Sequence, residues 1–195
     1  YLNRRMADFD WDKATLSNDI KPGNIIFNES EETTHYSIID REGNAVSVTT
    51  TLNGSYGSKV YIEDGGYFLN NEMDDFSSKP GVPNMFGLLG SEANSIFPGK
   101  RMLSSMTPTI VEKNKKLFMI VGTPGGSTII TSVFQTILNA YEFNMGIQES
   151  VNAPRFHHQW MPDLVIFEPK RFNSELISKL NDKGYNIEEK FSRII

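Results

Sequence analysis

Two runs of β-branched and aromatic residues, at 35–40 and 45–52, stand out from the polar chain before them. They flank a short polar segment that contains a glycine, which is the pattern of two strands joined by a hairpin loop. If that loop centres on Glu42, the two strands pair so that Thr33 lies opposite Thr51. The pattern therefore predicts a β-hairpin that brings two threonines together across its open end.

The same kind of pattern predicts a second hairpin and a long helix further along. Apolar residues at 106–112 and 117–122 flank a polar turn and predict two more strands. A glycine-rich turn follows, and the apolar spacing after it predicts a buried helix with Ser127 as its N-cap. Further predicted elements are a strand within 65–71, a short helix at 147–151, a strand at 164–167 and a helix at 173–180. Because strands precede and separate the helices without a βαβ rhythm, we expect an α+β fold around a largely antiparallel sheet.

Composition limits the class of protein. The 195 residues include 38% hydrophobic and 22% charged residues, which suits one globular core, and we place Tyr36, Phe68 and Phe118 in it. The net charge of −5 argues against a basic nucleic-acid surface, and no apolar run approaches the roughly 18 to 20 residues of a transmembrane helix. Because the chain has no cysteine, any side-chain nucleophile must carry oxygen or an amine.

The threonine pair Thr33 and Thr34 lies at the start of the first predicted strand, directly after an acidic run. By itself such a pair is typical of a strand start. A threonine becomes a nucleophile when its own α-amino group, with a pKa of about 8, is free to act as the base. That chemistry requires cleavage between Glu32 and Thr33. Thr51 would then donate a hydrogen bond to the Thr33 hydroxyl or amine, and Asn53 would face the same way.

Gly125 and Gly126 lie between a predicted strand and a predicted helix. Paired glycines allow unusual backbone angles, and their N–H groups at a positive helix end favour an anion. The spacing of a phosphate-binding loop is absent and no lysine is near, so an oxyanion is a better ligand than a phosphate. A plain tight turn is the alternative.

Two polar clusters suit the two ends of an amino-acid-like substrate. The first comprises Asn70, Asn71, Glu72, Asp74 and Asp75. Its spacing matches no calcium loop, so we interpret it as a site for a substrate ammonium, with a solvated turn as the alternative. Ser104 and Ser105 follow two basic residues and suit a carboxylate, or are serines at a strand edge. The adjacent His157 and His158 would face different directions, and we expect them to be structural.

The order and spacing of these motifs closely resemble the small subunit of the gamma-glutamyltranspeptidase family. The similarity runs from Thr33 to about Phe167. The segments that carry it are TTHYS, GNAVSVTTTLN, LNNEMDDFSSKPGVPN, KRMLSSMTPTIV, GTPGGSTIITSVFQ and NAPRFHHQW. Residues 1–32 resemble the end of that family's large subunit, just before the point where the precursor cuts itself.

The resemblance implies an N-terminal-nucleophile hydrolase with a four-layer αββα sandwich, made as one precursor that cleaves itself before the catalytic threonine. In this sequence that residue is Thr33, and Thr51 would orient it. The positions that bind the α-amino end of the glutamyl group are Asn53, Glu72 and Asp75. Those that help hold its α-carboxylate are Ser104 and Ser105, and those of the oxyanion hole are Gly125 and Gly126.

The resemblance also implies the reaction and the partners. Thr33 attacks the γ-glutamyl amide of glutathione or a related donor and becomes an acyl ester. Water releases glutamate from it, whereas an amino acid or dipeptide acceptor takes the glutamyl group away. The partner is the large subunit of the same precursor, no metal or organic cofactor is implied, and we expect a periplasmic or extracellular location.

Several features set this sequence apart from the family pattern. Phe86 stands where many bacterial members have a lid tyrosine, and Met102 stands where proline is usual. The chain begins at Tyr1 without a signal peptide, and the arginine that clamps the substrate carboxylate and the family's C-terminal segment are absent. We therefore expect 33–195 to be an incomplete small-subunit region that is inactive without its large subunit.

Two other functions compete with this one. An acylase on the same scaffold would act on glutaryl side chains of cephalosporins, whose acyl group has no α-amino group. Glu72 and Asp75 argue against it, because their carboxylates would lack an ammonium partner. The second competitor is an inactive family member that serves as a binding module.

Overall fold

The computed structural model describes residues 33–159 and 162–190. The strands in these ranges are β1 (Thr33–Ile39), β2 (Ala45–Thr51), β3 (Tyr61–Ile62), β4 (Tyr67–Phe68), β5 (Thr109–Lys113), β6 (Lys116–Val121), β7 (Phe156–His157), β8 (Val165–Phe167) and β9 (Ile187–Glu189). The helices are α1 (Ile129–Tyr141), α2 (Ile147–Asn152) and α3 (Ser174–Asp182). Single turns of 3₁₀ helix lie at Glu72–Asp75, Glu92–Asn94 and Gly126–Thr128.

The first hairpin has the predicted register. Strands β1 and β2 pair antiparallel with Thr33 opposite Thr51, which confirms the prediction from the loop position. Asn44 closes the loop by donating from its backbone N and its Nδ2 to the Asp40 carboxylate, over 2.8 and 2.7 Å. These bonds stabilise the charged carboxylate and lower the pKa of Asp40.

The second hairpin is β5–β6, also antiparallel, with an irregularity between Val111 and Glu112. Asn114 and Lys115 form its two-residue turn with φ of 54° and 61°, the positive values that such a turn requires. The two hairpins lie against each other, and the Ser47 hydroxyl donates to the backbone carbonyl of Val121 over 3.4 Å.

Most strand pairing in the described ranges is antiparallel. Strands β3 and β4 form a short third pair, and β7, β8 and β9 form a sheet in that order. Within this sheet β7 and β8 are antiparallel. Strands β8 and β9 are parallel, and α3 lies between β8 and β9 in the sequence. Helices and mainly antiparallel strands are thus combined as predicted. No helix within 33–159 or 162–190 has the length and apolar content to cross a bilayer.

The start of α1 differs from the prediction. A 3₁₀ turn over Gly126–Thr128 precedes the α-helix, so that Thr128 rather than Ser127 occupies the N-cap position. The Thr128 hydroxyl donates to the Gly125 carbonyl over 2.8 Å and caps the glycine turn instead of the helix. Sequence reasoning missed this because the 3₁₀ turn has no apolar periodicity of its own.

The described core is small. Its fully apolar members are Phe76, Met119, Ile129, Val133 and Phe167. Tyr36 and Phe118 were predicted to be buried, but they are 46% and 39% exposed. The Phe118 ring meets the Tyr141 ring edge-on, with 5.9 Å between centroids, and this contact covers only part of it. Phe68 is partly buried against Tyr56 and Tyr61. The fold therefore presents large apolar faces on the outside of its strands.

Candidate active site

The open end of the first hairpin meets the glycine turn across one small cleft. The cleft is lined by Thr33, Thr51, Asn53, Asp75, Phe86, Leu88, Ser105, Met106, Gly126, Ser127 and Ile129. Six of the nine predicted site residues are among them. Glu72 and Ser104 line an adjoining cavity that shares Thr51, Asp75 and Ser105 with the cleft. Gly125 lines a neighbouring pocket that shares Phe86 and Ser127 with the cleft.

The position of Thr33 follows from strand geometry. Side chains alternate between the two faces of β1, so Thr33 is buried at 8% exposure while Thr34 is exposed. Thr51 faces Thr33 across the hairpin, and its Oγ1 accepts a hydrogen bond from the Asn53 backbone N–H over 3.0 Å. The register brings Thr51 opposite Thr33, and the orienting role of Thr51 stays a prediction.

Asn53 lies two residues after the end of β2, where the chain turns. Its φ of 72° is left-handed, which asparagine tolerates better than most residues, and it is 7% exposed. Its Nδ2 donates to the Asn71 carbonyl over 3.2 Å and lies 3.8 Å from the Met85 sulfur. Since these partners take up the NH₂ end, the carbonyl oxygen Oδ1 is the end left for a ligand.

Glu72 and Asp75 form a carboxyl pair at the two ends of one 3₁₀ turn. Burial and the negative charge of Asp75 raise the pKa of Glu72 to about 6. Burial also raises the pKa of Asp75, although a hydrogen bond from Ser105 Oγ to its Oδ2, at 3.2 Å, acts in the opposite direction. Such a pair is poorly stabilised until a cation reaches it, which suits a substrate ammonium. No cluster of metal-binding side chains is found within the described ranges.

The glycine turn has a conformation that only glycine adopts readily. Gly125 has φ of 139° and Gly126 has φ of 56°. The backbone N and the hydroxyl of Thr128 both donate to the Gly125 carbonyl, over 3.0 and 2.8 Å. Because C=O and N–H point in opposite directions in a trans peptide, the Gly126 N–H points away from Thr128. Gly126 lines the Thr33 cleft, so this geometry suits an oxyanion hole.

The serine pair links the acidic turn to the rest of the cleft. Ser105 bonds Asp75, whereas the Ser104 Oγ accepts a hydrogen bond from the Met106 backbone N–H over 3.3 Å. Lys100 donates to the carbonyls of Ala93 and Ser95, over 2.6 and 3.0 Å, so its ammonium secures a loop. The carboxylate-binding role predicted for the serines is compatible with their place in the adjoining cavity.

Phe86 covers the cleft from a compact turn that the sequence pattern did not resolve. Asn84 organises this turn, because its Oδ1 accepts hydrogen bonds from the backbone N–H groups of Phe86 and Leu88, both at 3.0 Å. Pro83 and Leu89 form a bridge at its base. Asparagine after proline in a long glycine-containing loop was the available signal for such a turn.

The adjacent histidines His157 and His158 both have polar partners within the described fold. His157 is 3% exposed, and its ring nitrogens lie 2.8 Å from Thr131 Oγ1 and 2.9 Å from Gln159 Oε1. His158 lies 3.2 Å from the Asp163 carboxylate. Neither lines the Thr33 cleft, which agrees with the structural role predicted for both.

The cleft and the cavities beside it combine a buried hydroxyl at the end of a strand, glycine amides at the start of a helix and a carboxyl pair. This combination suits acyl transfer from an amino-acid-like substrate, which is the chemistry of hydrolases with a threonine nucleophile. The family comparison agrees with this class. The gamma-glutamyltranspeptidase family model matches residues 1–194, and the chain belongs to this family.

Curated relatives carry the name glutathione hydrolase proenzyme. That of Escherichia coli is 49% identical over 185 residues, which cover 94% of this chain and 32% of the relative. That of a Pseudomonas species is 56% identical over 168 residues, covering 86% of this chain and 29% of the relative. The chain thus spans about a third of the length of these relatives.

Solved structures of the family share the fold. A mutant of Helicobacter pylori gamma-glutamyltranspeptidase matches with a TM-score of 0.78 and 56% identity, covering 80% of this chain and 84% of that one. A mutant of the Pseudomonas nitroreducens enzyme matches with a TM-score of 0.74 and 48% identity, covering 80% and 82%. The N-terminal-nucleophile fold expected from the motifs is that of these neighbours.

Proposed function

We propose that this chain carries the catalytic centre of a gamma-glutamyltransferase that also hydrolyses glutathione. The observation that carries this proposal is the single cleft in which Thr33, Asp75 and Gly126 meet. These residues supply a nucleophile, a countercharge for the substrate ammonium and an oxyanion donor. The names of the relatives, glutathione hydrolase and gamma-glutamyltranspeptidase, describe the same chemistry.

In this reaction the Thr33 hydroxyl attacks the γ-carbonyl of the donor while the α-amino group of the same residue takes the proton. The developing oxyanion accepts hydrogen bonds from the turn at Gly125 and Gly126. The proton then passes to the leaving amine, the amide bond breaks and a γ-glutamyl ester of Thr33 remains. Water releases it as glutamate, and an amino acid or dipeptide amine converts it to a new γ-glutamyl amide.

The substrate's glutamyl end fits the polar groups around the cleft. Its ammonium would lie among Asn53 Oδ1, Glu72 and Asp75, two carboxyls and one carbonyl oxygen. Its α-carboxylate would accept hydrogen bonds from Ser104 and Ser105. The single hydroxyl hydrogen of Ser105 is donated to Asp75 in the described structure, so it would turn from Asp75 to the α-carboxylate when the substrate binds.

The partner in this proposal is a large subunit derived from the same precursor. We assign 1–32 to the end of that subunit and 33–195 to the small-subunit region, with self-cleavage between Glu32 and Thr33. The exposed apolar side chains of the hairpins, such as Tyr36, Ile38 and Ile110, supply faces for further layers of a four-layer αββα sandwich. We place the assembled enzyme in the periplasm or outside the cell.

The assembled heterodimer tests the proposed function directly. We expect it to release p-nitroaniline from γ-glutamyl-p-nitroanilide, faster with glycylglycine present, and to act far less on glutaryl-p-nitroanilide. Preference for the glutaryl compound would identify the chain as an acylase instead. An intact heterodimer that is inactive on both compounds would identify a binding module.

Asp75→Asn is expected to weaken selection for the α-amino group. Asp75 is half-buried, and the bound substrate would cover the rest of it. Removing one partner of a charge pair buried in this way costs about 2–5 kcal/mol, so the KM for the γ-glutamyl donor should rise about 30-fold or more. The KM for the glutaryl compound should change little, since it brings no ammonium to Asp75. Asp64→Asn removes an exposed carboxylate in the β3–β4 turn and serves as the control. Equal losses on both compounds would contradict the assignment of Asp75.

Acidification through pH 6 is expected to weaken donor binding. The pKa of Glu72 is raised to about 6, so the group is a carboxylate above that pH and a neutral acid below it. Loss of this charge removes attraction for the ammonium, and the KM should rise by up to about tenfold per pH unit below 6. Steady-state kinetics between pH 5 and 8 measure this, with Glu72→Gln expected to flatten the rise. The same rise in Glu72→Gln would assign it to another group.

A further inference from the structure

We propose that Asn71 is a positioning residue that holds the ammonium-binding groups of the cleft in one unit. The proposal rests on the function proposed above and goes beyond the residues that the family resemblance supplies. Asn71 is the residue directly before Glu72, and it joins the acidic turn to the segment that leaves β2.

Asn71 bonds three successive residues of that segment. Its backbone N–H donates to the Leu52 carbonyl over 3.1 Å, and its own carbonyl accepts from Asn53 Nδ2 over 3.2 Å. Its side-chain Oδ1 accepts from the Gly54 backbone N–H over 2.9 Å. The segment 52–54 is thus fixed from the start of the acidic turn.

The segment needs such support because its backbone is unusual. Asn53 has φ of 72°, in the left-handed region, and a conformation of this kind persists only where its surroundings hold it. Gly54 lies against the same side chain, since a Cβ on Gly54 would meet Asn71 Nδ2 at 3.4 Å. Without the Asn71 side chain the Gly54 N–H loses this acceptor, and the turn is no longer fixed at its far end.

The support from Asn71 affects ligand binding through Asn53. The bond from Asn53 Nδ2 to the Asn71 backbone carbonyl engages the NH₂ end of the Asn53 amide, and Oδ1 is the end left for a ligand. An ammonium donates hydrogen bonds and needs acceptors, so the reverse orientation would present the wrong group. The Asn71 backbone carbonyl is kept in every Asn71 variant, so the Asn71 side chain acts on Asn53 through its bond to the Gly54 N–H, which holds the turn at 52–54 against the acidic turn.

The test compares Asn71→Ala with Asn71→Asp in the assembled heterodimer. Alanine removes the Oδ1 acceptor, whereas aspartate keeps an acceptor of the same reach. We expect the competitive inhibition constant of L-glutamate to rise about tenfold in Asn71→Ala, with kcat for γ-glutamyl-p-nitroanilide within about threefold of the unmodified enzyme. In Asn71→Asp we expect the constant to stay within about threefold.

The control is Asn44→Ala, which removes bonds of similar kind in the β1–β2 loop. A purely structural role would lower kcat through a smaller active fraction and leave the glutamate constant unchanged. An unchanged constant in Asn71→Ala, or an equal rise in Asn71→Asp, overturns the proposal. If Asn71→Ala does not mature, Asn71→Ser replaces it, with an intermediate rise expected and no rise as the contrary result. An inactive unmodified enzyme would instead contradict the proposed function itself.

Discussion

Thr33→Ala is expected to abolish activity and to leave the bond between Glu32 and Thr33 uncut. The substitution removes the hydroxyl that attacks the donor, and loss of a nucleophile of this kind lowers kcat on the order of 10⁶-fold. The proposed cut lies directly before this residue, and we expect the same hydroxyl to attack the Glu32 carbonyl in self-cleavage. The precursor should therefore run as one band on a denaturing gel and release no measurable p-nitroaniline.

Thr34→Ala provides a matched control for Thr33→Ala. Thr34 is the neighbouring threonine of β1, but its side chain is exposed on the other face. This variant should mature, and N-terminal sequencing of its small chain should begin with Thr-Ala-His-Tyr. Activity that survives in Thr33→Ala, or a different start of the mature chain, would contradict the nucleophile assignment.

Gly125→Ala is expected to give the second largest loss, about 10²- to 10³-fold in kcat, the amount typical for one oxyanion donor. Gly125 has φ of 139°, where a Cβ is strained, so the turn must change shape to accept alanine. That change tilts the peptide that carries the Gly126 N–H. The KM for the donor should change much less, because the glutamyl end is held elsewhere.

Gly66→Ala separates backbone strain from catalysis. Gly66 also has a positive φ, 67°, but it lies in the β3–β4 turn with open space around it. Both variants should lose some thermal stability, and only Gly125→Ala should lose kcat. A similar kcat in the two variants would show that the glycine turn does not stabilise the transition state.

Local patterns predicted the parts of the site that lie within one hairpin or one turn. The register that sets Thr33 opposite Thr51 follows from the loop position, because strand pairing across a short loop has few alternatives. The acidic turn and the glycine turn were recognisable from their own residues. Their meeting in one cleft was implied only by the family resemblance, since it depends on contacts distant in sequence.

Other features depended on contacts that no local pattern records. The three bonds of Asn71 to 52–54 join loops that have no periodicity, so no local pattern distinguished Asn71 from the rest of its polar cluster. Strand β8 agrees with the strand predicted at 164–167, whereas β7 and β9, of two and three residues, are too short for an alternation to be read. Tyr36 and Phe118 look like core residues by composition, yet their exposure depends on what covers the hairpins.

The register of β1 has a mechanical consequence for the proposed cleavage. A newly created chain end is ordinarily the loosest part of a domain and frays into solvent. Here Thr33 is the first residue of a seven-residue strand that is paired along its whole length. Cleavage before Thr33 would free its α-amino nitrogen, while the hydrogen-bonded pairing with β2 would keep its hydroxyl in place. The new N-terminus would therefore become reactive without becoming mobile.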